Sequence, residues 1–429
     1  MLAVGNHREL VGPLSWDATK TPHALARGST MPRRSPGRSQ ARTQPPAKAS
    51  PGRPTQTPRS RKWTPDGRRR AGFVIIGIAL AASILLVLLL IPESPASRAQ
   101  RAQAAAHAGD WTTARAIWSS INASPNASAE SCRGEARACL TLGLARQAEQ
   151  VLRKGVELAP ADVESWRLLL QILRVENRVI ESQRLGWRAY ERVNPESRRV
   201  VLMELTLSLL AELPDAAARR TLSRWIQADP DDLDARVALF GRQSAEPSAD
   251  DPDRASLLGS LENLLATHPD HTQARETLVT ALADAGEPIR GRVLLDQWPE
   301  STRDARYQKL RGRWDLEYDH HPENAVELFR AALQTLPQDW RAWYRLARAC
   351  RALGRASDAQ AAALQVSRIR EILEPAPLGR RLDDAFNHLN EPPALADLAR
   401  LCDQVGLSRL ADAWRAEADQ IPKKTASSR

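Results

Sequence analysis

The sequence predicts an all-α chain: an α-solenoid, a superhelix of antiparallel helix pairs, preceded by one transmembrane helix and a disordered basic tail. Three observations predict it. An uncharged apolar run fills residues 71–91. Charge and composition change abruptly across that run. A spacing of about 34 residues recurs through the remainder of the chain.

The apolar run, Ala71 to Ile91, has no charge, no side-chain amide and no proline. As a helix rising about 1.5 Å per residue it spans the hydrocarbon core of a bilayer. Lipid offers no partner for backbone N–H and C=O groups, so a helix is the form such a run takes there. Arg68, Arg69 and Arg70 abut its start and Pro92 closes its end. Residues 1–70 carry 15 Lys+Arg against 3 Asp+Glu, whereas the other 359 carry 46 against 48. The formal charge of +10 therefore belongs to the tail. Basic residues beside an apolar span mark the cytoplasmic side. The expectation is a single pass, N-terminus cytoplasmic and repeats extracytoplasmic, in a bacterial inner membrane. A cleaved signal has a shorter apolar core nearer the start.

Residues 32–70 hold 8 Pro and 12 Lys+Arg with almost nothing apolar, so burial cannot offset chain entropy and the segment is expected to stay disordered. Met31 is an alternative start. Such a tail suits anionic lipid headgroups. Nucleic acid is the weaker partner, because Trp63 is the one aromatic in 32–70 and stacking platforms need several. Recognition of PxxP-type segments is a third reading.

Beyond Pro92 the spacing becomes helical. Trp343, Leu346, Ala347 and Cys350 share one helix face, Gly354 breaks the helix, and Ala359, Ala363 and Val366 mark a second. Ala325, Phe329 and Ala332, then Pro337, fall at the corresponding places one period earlier. Gly109, Ala114, Trp118 and Ile121 open the series, and Ala148, Leu152 and Gly155 follow. Units start at Pro95, Ala129, Val163, Arg199, Leu233, Thr272, Arg306, Trp340 and Pro392. Small residues at fixed positions let paired helices approach closely.

These residues resemble the tetratricopeptide repeat family over about residues 95–425. The domains expected are a tail at 1–70, a transmembrane helix at 71–91 and about eight or nine repeats at 95–425. Departures stand out. The unit near 199 starts two residues late. Arg236 and Arg275 occupy positions where an aromatic is expected, and Gly291 replaces an alanine. SAEPSADDPD is inserted at 244–253, and residues 377–390 form one extra helix that does not fit the pairing, either paired or a cap.

The resemblance implies a binding scaffold, not an enzyme, and no cofactor or metal. Four positions of each first helix would line a concave surface: Arg341, Tyr344, Arg348 and Arg351 in one unit, Arg167 and Arg174, Arg133 and Arg137, Tyr307 and Trp314 in others. Guanidinium groups among aromatics suit an acidic protein or peptide partner. A nucleic-acid- or ribosome-associated protein acting through the tail, or an accessory subunit of a membrane enzyme, are the alternatives. No Walker, zincin, nucleophile-elbow or EF-hand pattern is present. Cys139, Cys350 and Cys402 recur at one core position, and Cys132 lies too far along the same helix from Cys139 to pair with it. His268, His271, His320 and His321 sit at turns without ligand spacing. Asn122 and Asn126 each begin a glycosylation sequon.

Overall fold

The computed structural model describes residues 94–244 and 253–421. Among them are nineteen α-helices, two 3-10 turns and no strand: an all-helical, tetratricopeptide-like solenoid. The hairpins are α1 (Pro95–His107) with α2 (Trp111–Asn122), α3 (Ala129–Leu142) with α4 (Ala145–Leu158), and α5 (Val163–Val175) with α6 (Val179–Arg192). Then come α7 (Arg198–Leu210) with α8 (Asp215–Ala228), α9 (Leu233–Ser244) with α10 (Asp253–Thr267), and α11 (Thr272–Asp284) with α12 (Pro288–Asp296). The series ends with α13 (Ala305–Glu317) and α14 (Pro322–Thr335), α15 (Trp340–Ala352) and α16 (Ala356–Ile372), lone α17 (Pro375–Asn387), and α18 (Pro392–Gln404) with α19 (Ser408–Asp419). The unit that starts late follows a 3-10 turn, Pro195–Ser197, which takes up the extra residues. Residues 245–252 of the expected insertion lie outside the described residues.

Among the described residues no helix is long and apolar enough to cross a membrane. The longest, α16, has 17 residues, about 26 Å of rise, and includes Asp358, Arg368, Arg370 and Glu371. This overturns the expected localisation as a single-pass protein with an extracytoplasmic repeat domain. Ala71–Ile91 and the basic tail lie outside the described residues.

The repeat period is written into the turns. Gly109, Gly143, Gly286, Gly354 and Gly406 all have left-handed backbone, with φ of +70° or more. Asn177 (φ 56°) stands one period after Gly143, and His320 (φ 57°) stands one period after Gly286. Both occupy the turn that glycine fills elsewhere, at a steric cost glycine escapes. At the next step after Asn177, Ala211 is extended (φ −108°) and the left-handed turn is absent. His320→Gly is expected to stabilise the domain by about 0.5–1 kcal/mol. Thermal unfolding checks it, and a fall in melting temperature would show that the imidazole contributes more than the strain costs.

Two departures from the repeat have packing reasons. Trp166 and Trp343, at the fourth position of their units, donate from Nε1 to the carbonyls of Pro160 (2.9 Å) and Pro337 (2.8 Å). Arg275, at the same position, donates from Nη2 to the carbonyl of Pro269 at 2.7 Å, again six residues back. Its guanidinium is also 6.0 Å from the centre of Trp298, and it donates to the Leu294 carbonyl. Arginine thus supplies both the bulk and the donor of the missing indole. Gly291 makes room for Trp314: a Cβ there would lie 2.5 Å from the indole Cζ2.

All four cysteines are free and buried. Burial pushes the thiols up, to about 11 for Cys139 and about 12 for Cys402, so they stay neutral and pack as small apolar groups.

The solenoid does not stack only neighbour on neighbour. Val179 and Ile180 of α6 pack on Ala305, Ala332 and Leu336 of α13 and the end of α14. Trp414 of α19, fully buried, donates to Thr206 Oγ1 of α7 at 3.0 Å. Beside it Arg199 pairs with Glu417 at 3.4 Å, and the Arg409 guanidinium lies 4.0 Å over the Trp187 ring. The last hairpin therefore closes back onto the middle of the array.

Candidate functional site

Two clusters of charged side chains stand out: an exposed face on α15 and a buried junction around Arg178.

On α15, Asp339 caps the helix by accepting from the backbone N–H groups of Arg341 and Ala342. Leu346, Ala347 and Cys350 are buried, which turns Arg341, Tyr344, Arg348 and Arg351 outward. Tyr344 is 49 % exposed. Among the described residues Arg341 and Arg351 have no carboxylate at ion-pair distance. Arg341 lies 4.6 Å from the centre of the Trp340 ring, which Arg370 also approaches at 5.1 Å. Arg351 donates from Nε to the Ala347 carbonyl. Arg348 pairs with Glu317 at 2.9 Å but shares it with Arg313, also at 2.9 Å, and with Arg345 at 3.7 Å. The face thus carries surplus positive charge around an exposed aromatic ring.

The other residues of the expected binding surface are differently engaged. Arg133 pairs with Asp162 at 2.6 Å, while Arg137 (3.4 Å) and Arg167 (2.9 Å) share Glu164. Arg133 and Arg137 fasten α3 to the start of α5, and Arg167 pairs within α5. Arg174 is half-buried, its Nε without a partner. Tyr307 packs edge-on against Trp298 with Arg303 above it. Trp314 is fully buried and donates to the Pro288 carbonyl, so it belongs to the core and not to a surface. Periodicity placed it on the first helix of its unit; only packing shows that its ring turns inward.

The junction gathers carboxylates from remote stretches. Arg178, in the α5–α6 turn, reaches Glu149 of α4 (2.7 Å), Glu176 (2.8 Å), Glu181 of α6 (2.7 Å) and Asp234 of α9 (3.5 Å). Arg153 pairs with Glu149 and Glu181, each at 2.6 Å. His271 accepts from the Ala274 N–H at Nδ1, capping α11, and turns Nε2 toward Asp234 at 3.4 Å. Gln273 donates to the Glu176 carbonyl at 2.7 Å. Glu149, Glu176 and Asp234 have oxygens within 4.8 Å of one another, the spacing a cation needs. The Arg178 Nη1 already stands among them, so the guanidinium fills the seat a metal would take.

Burial pushes the Glu176 carboxyl well above its ordinary range, more than Arg178 lowers it. For Glu181 burial acts the same way but is outweighed by Arg178 and Arg153, and the group is held below its ordinary range. Asp234 is likewise held low, burial being outweighed by His271 and Arg178. The other expected polar sites are structural. Asn122 is buried and bonds to Glu135 and Ser131, which leaves its sequon closed to modification. His320 occupies a left-handed turn.

Residues 248–313 and 319–370 match the tetratricopeptide repeat family, so repeats of this type are present in the chain. No curated protein matches the sequence. Similar solved structures include a tetratricopeptide repeat protein from Parabacteroides merdae, 12 % identical, covering 59 % of this chain and 98 % of that one at a TM-score of 0.28. The human IFIT1 dimer with PPP-AAAA is 14 % identical, covering 76 % of this chain and 72 % of that one at 0.30. A chain of the APC/C hetero-tetramer Cut9–Hcn1 is matched at 14 % over 84 % of this chain and 79 % of that one, also at 0.30. Folds of this kind typically serve as non-enzymatic scaffolds.

Proposed function

We propose that the repeat array is a scaffold that binds a protein or peptide partner, and that the α15 face meets an acidic stretch of that partner. The observation that supports this most is surplus charge: Arg341 and Arg351 lack carboxylate partners on either side of exposed Tyr344. The rise between Arg341 and Arg348 is about 10 Å, within reach of acidic side chains two or four apart on one face of an extended partner. Each charge-assisted hydrogen bond contributes about 1.5–3 kcal/mol where water is excluded. The arginines of α3 hold helices together, Arg167 pairs within α5, and none of them takes part in this reading.

The test is the double reversal Arg341→Glu with Arg348→Glu. Binding of a fluorescent Asp/Glu-rich peptide pool is expected to weaken at least tenfold while circular dichroism stays unchanged. Equal binding by both proteins would remove this face from the interaction.

A further inference from the structure

The junction around Arg178 holds more negative charge than its cations neutralise. Four carboxylates, Glu149, Glu176, Glu181 and Asp234, meet the guanidinium groups of Arg153 and Arg178, with the exposed Arg184 3.9 Å from Glu181. Glu176 is 0 % exposed. One of its carboxyl oxygens accepts from Arg178; the other, Oε1, is buried with no hydrogen-bond partner. An ionised carboxylate with a bare buried oxygen is costly, and a neutral carboxyl is far less so.

We infer that this junction is a proton-controlled joint between hairpins remote in sequence: it is closed while Glu176 carries a proton and loosens when that carboxyl ionises. The joint ties α4 and the α5–α6 turn to the starts of α9 and α11. Arg178 spans to Asp234, and the Glu176 carbonyl is held by Gln273, 97 residues on. Every charged group that faces Glu176 acts on this balance. From α4 come Glu149 and Arg153, from the turn Arg178, from α6 Glu181 with Arg184 at 3.9 Å from it, from α9 Asp234, and from the α11 cap His271. Arg306 of α13, paired with Asp304, reaches Glu181 more weakly. A divalent cation is not the neutralising group, because it would displace the Arg178 guanidinium from three carboxylates at once.

The direction follows from linkage. Glu176 binds its proton more tightly folded than unfolded, so its contribution is complete below the ordinary carboxyl range near 4.5 and is lost as pH rises through the folded value. Glu181 and Asp234 act oppositely: their contribution is present above the ordinary range and disappears in acid. The joint is therefore tightest in weak acid and loosens on the alkaline side.

Hydrogen exchange of the full chain between pH 5 and 9, corrected for intrinsic rates, reads this directly. The peptide spanning 173–182 contains the Arg178 N–H, which bonds to the Leu173 carbonyl. Its opening is expected to increase with pH, by up to about tenfold per unit for a single proton. In Glu176→Gln, which keeps the carboxyl's shape without its charge, the increase is expected to vanish. His271→Asn keeps an acceptor for the Ala274 N–H and is expected to retain the increase. A pH-independent wild type, or a slope that survives Glu176→Gln and disappears in His271→Asn, overturns the inference.

Discussion

Arg178→Ala is expected to destabilise the domain by about 3–5 kcal/mol, because it strips the shared counterion from four carboxylates in a buried site. The cost is not the sum of four ion pairs. It is the penalty of leaving Glu149 and Asp234 with little neutralisation and the Glu176 carboxyl without its hydrogen-bond donor. Arg178→Lys is expected to fall between, since an ammonium contacts one or two carboxylates but lacks the planar fork that spans four. Urea unfolding followed by circular dichroism measures both. A loss below about 1 kcal/mol for the alanine variant would show that the junction is solvated and its charges are screened. Exchange in α9 and the start of α11 is expected to rise together with that in α4 and α6, because the guanidinium and Gln273 join these stretches directly.

Trp414→Ala is expected to cost about 3–5 kcal/mol, the range for truncating a fully buried indole, and its effect should reach far along the chain. In a linear stack each hairpin touches only its neighbours, so damage in the last hairpin stays there. Here Trp414 bonds to Thr206 in α7, 208 residues away, with Arg199–Glu417 and Arg409–Trp187 beside it. Amides of α6 and α7 are therefore expected to lose protection together with those of α18 and α19. If exchange in α7 were unchanged while α19 unfolded, the closing contact would be contributing nothing to the middle of the array. Trp414→Phe separates the two parts of the interaction: it retains most of the apolar packing and removes the bond to Thr206, at an expected cost of about 1–2 kcal/mol.

The helices and their pairing were legible because their causes are local. A helix needs apolar residues three and four apart, and a hairpin turn needs a residue that tolerates left-handed backbone. Both recur with one period along this chain. Asn177 and His320 were legible by the same count: each lies one period from a glycine turn, and asparagine in particular accepts that geometry. The role of Arg275 could not be read from composition, since a charged residue at an aromatic position signals a break until its bond to the Pro269 carbonyl is seen.

The candidate site divides along the same line. Helical spacing put Arg341, Tyr344, Arg348 and Arg351 on one face, and they share it. The same spacing could not tell that Arg133, Arg137 and Arg167 would be consumed by Asp162 and Glu164, or that Trp314 would point inward over Gly291. Nor did it find Arg178, which no motif marks.

By itself, then, the sequence determined the identity of the building block: a helical hairpin of fixed length, with small residues where its helices touch and a permissive turn between them. Only the tertiary structure decided which surfaces those hairpins bury against one another over long separations. Small rotations between successive units accumulate, and their sum brings Glu149 to Asp234 and Trp414 to Thr206. Those rotations depend on packing at each interface, so the charge balance of the buried junction is a property of the coiled array and not of any one repeat.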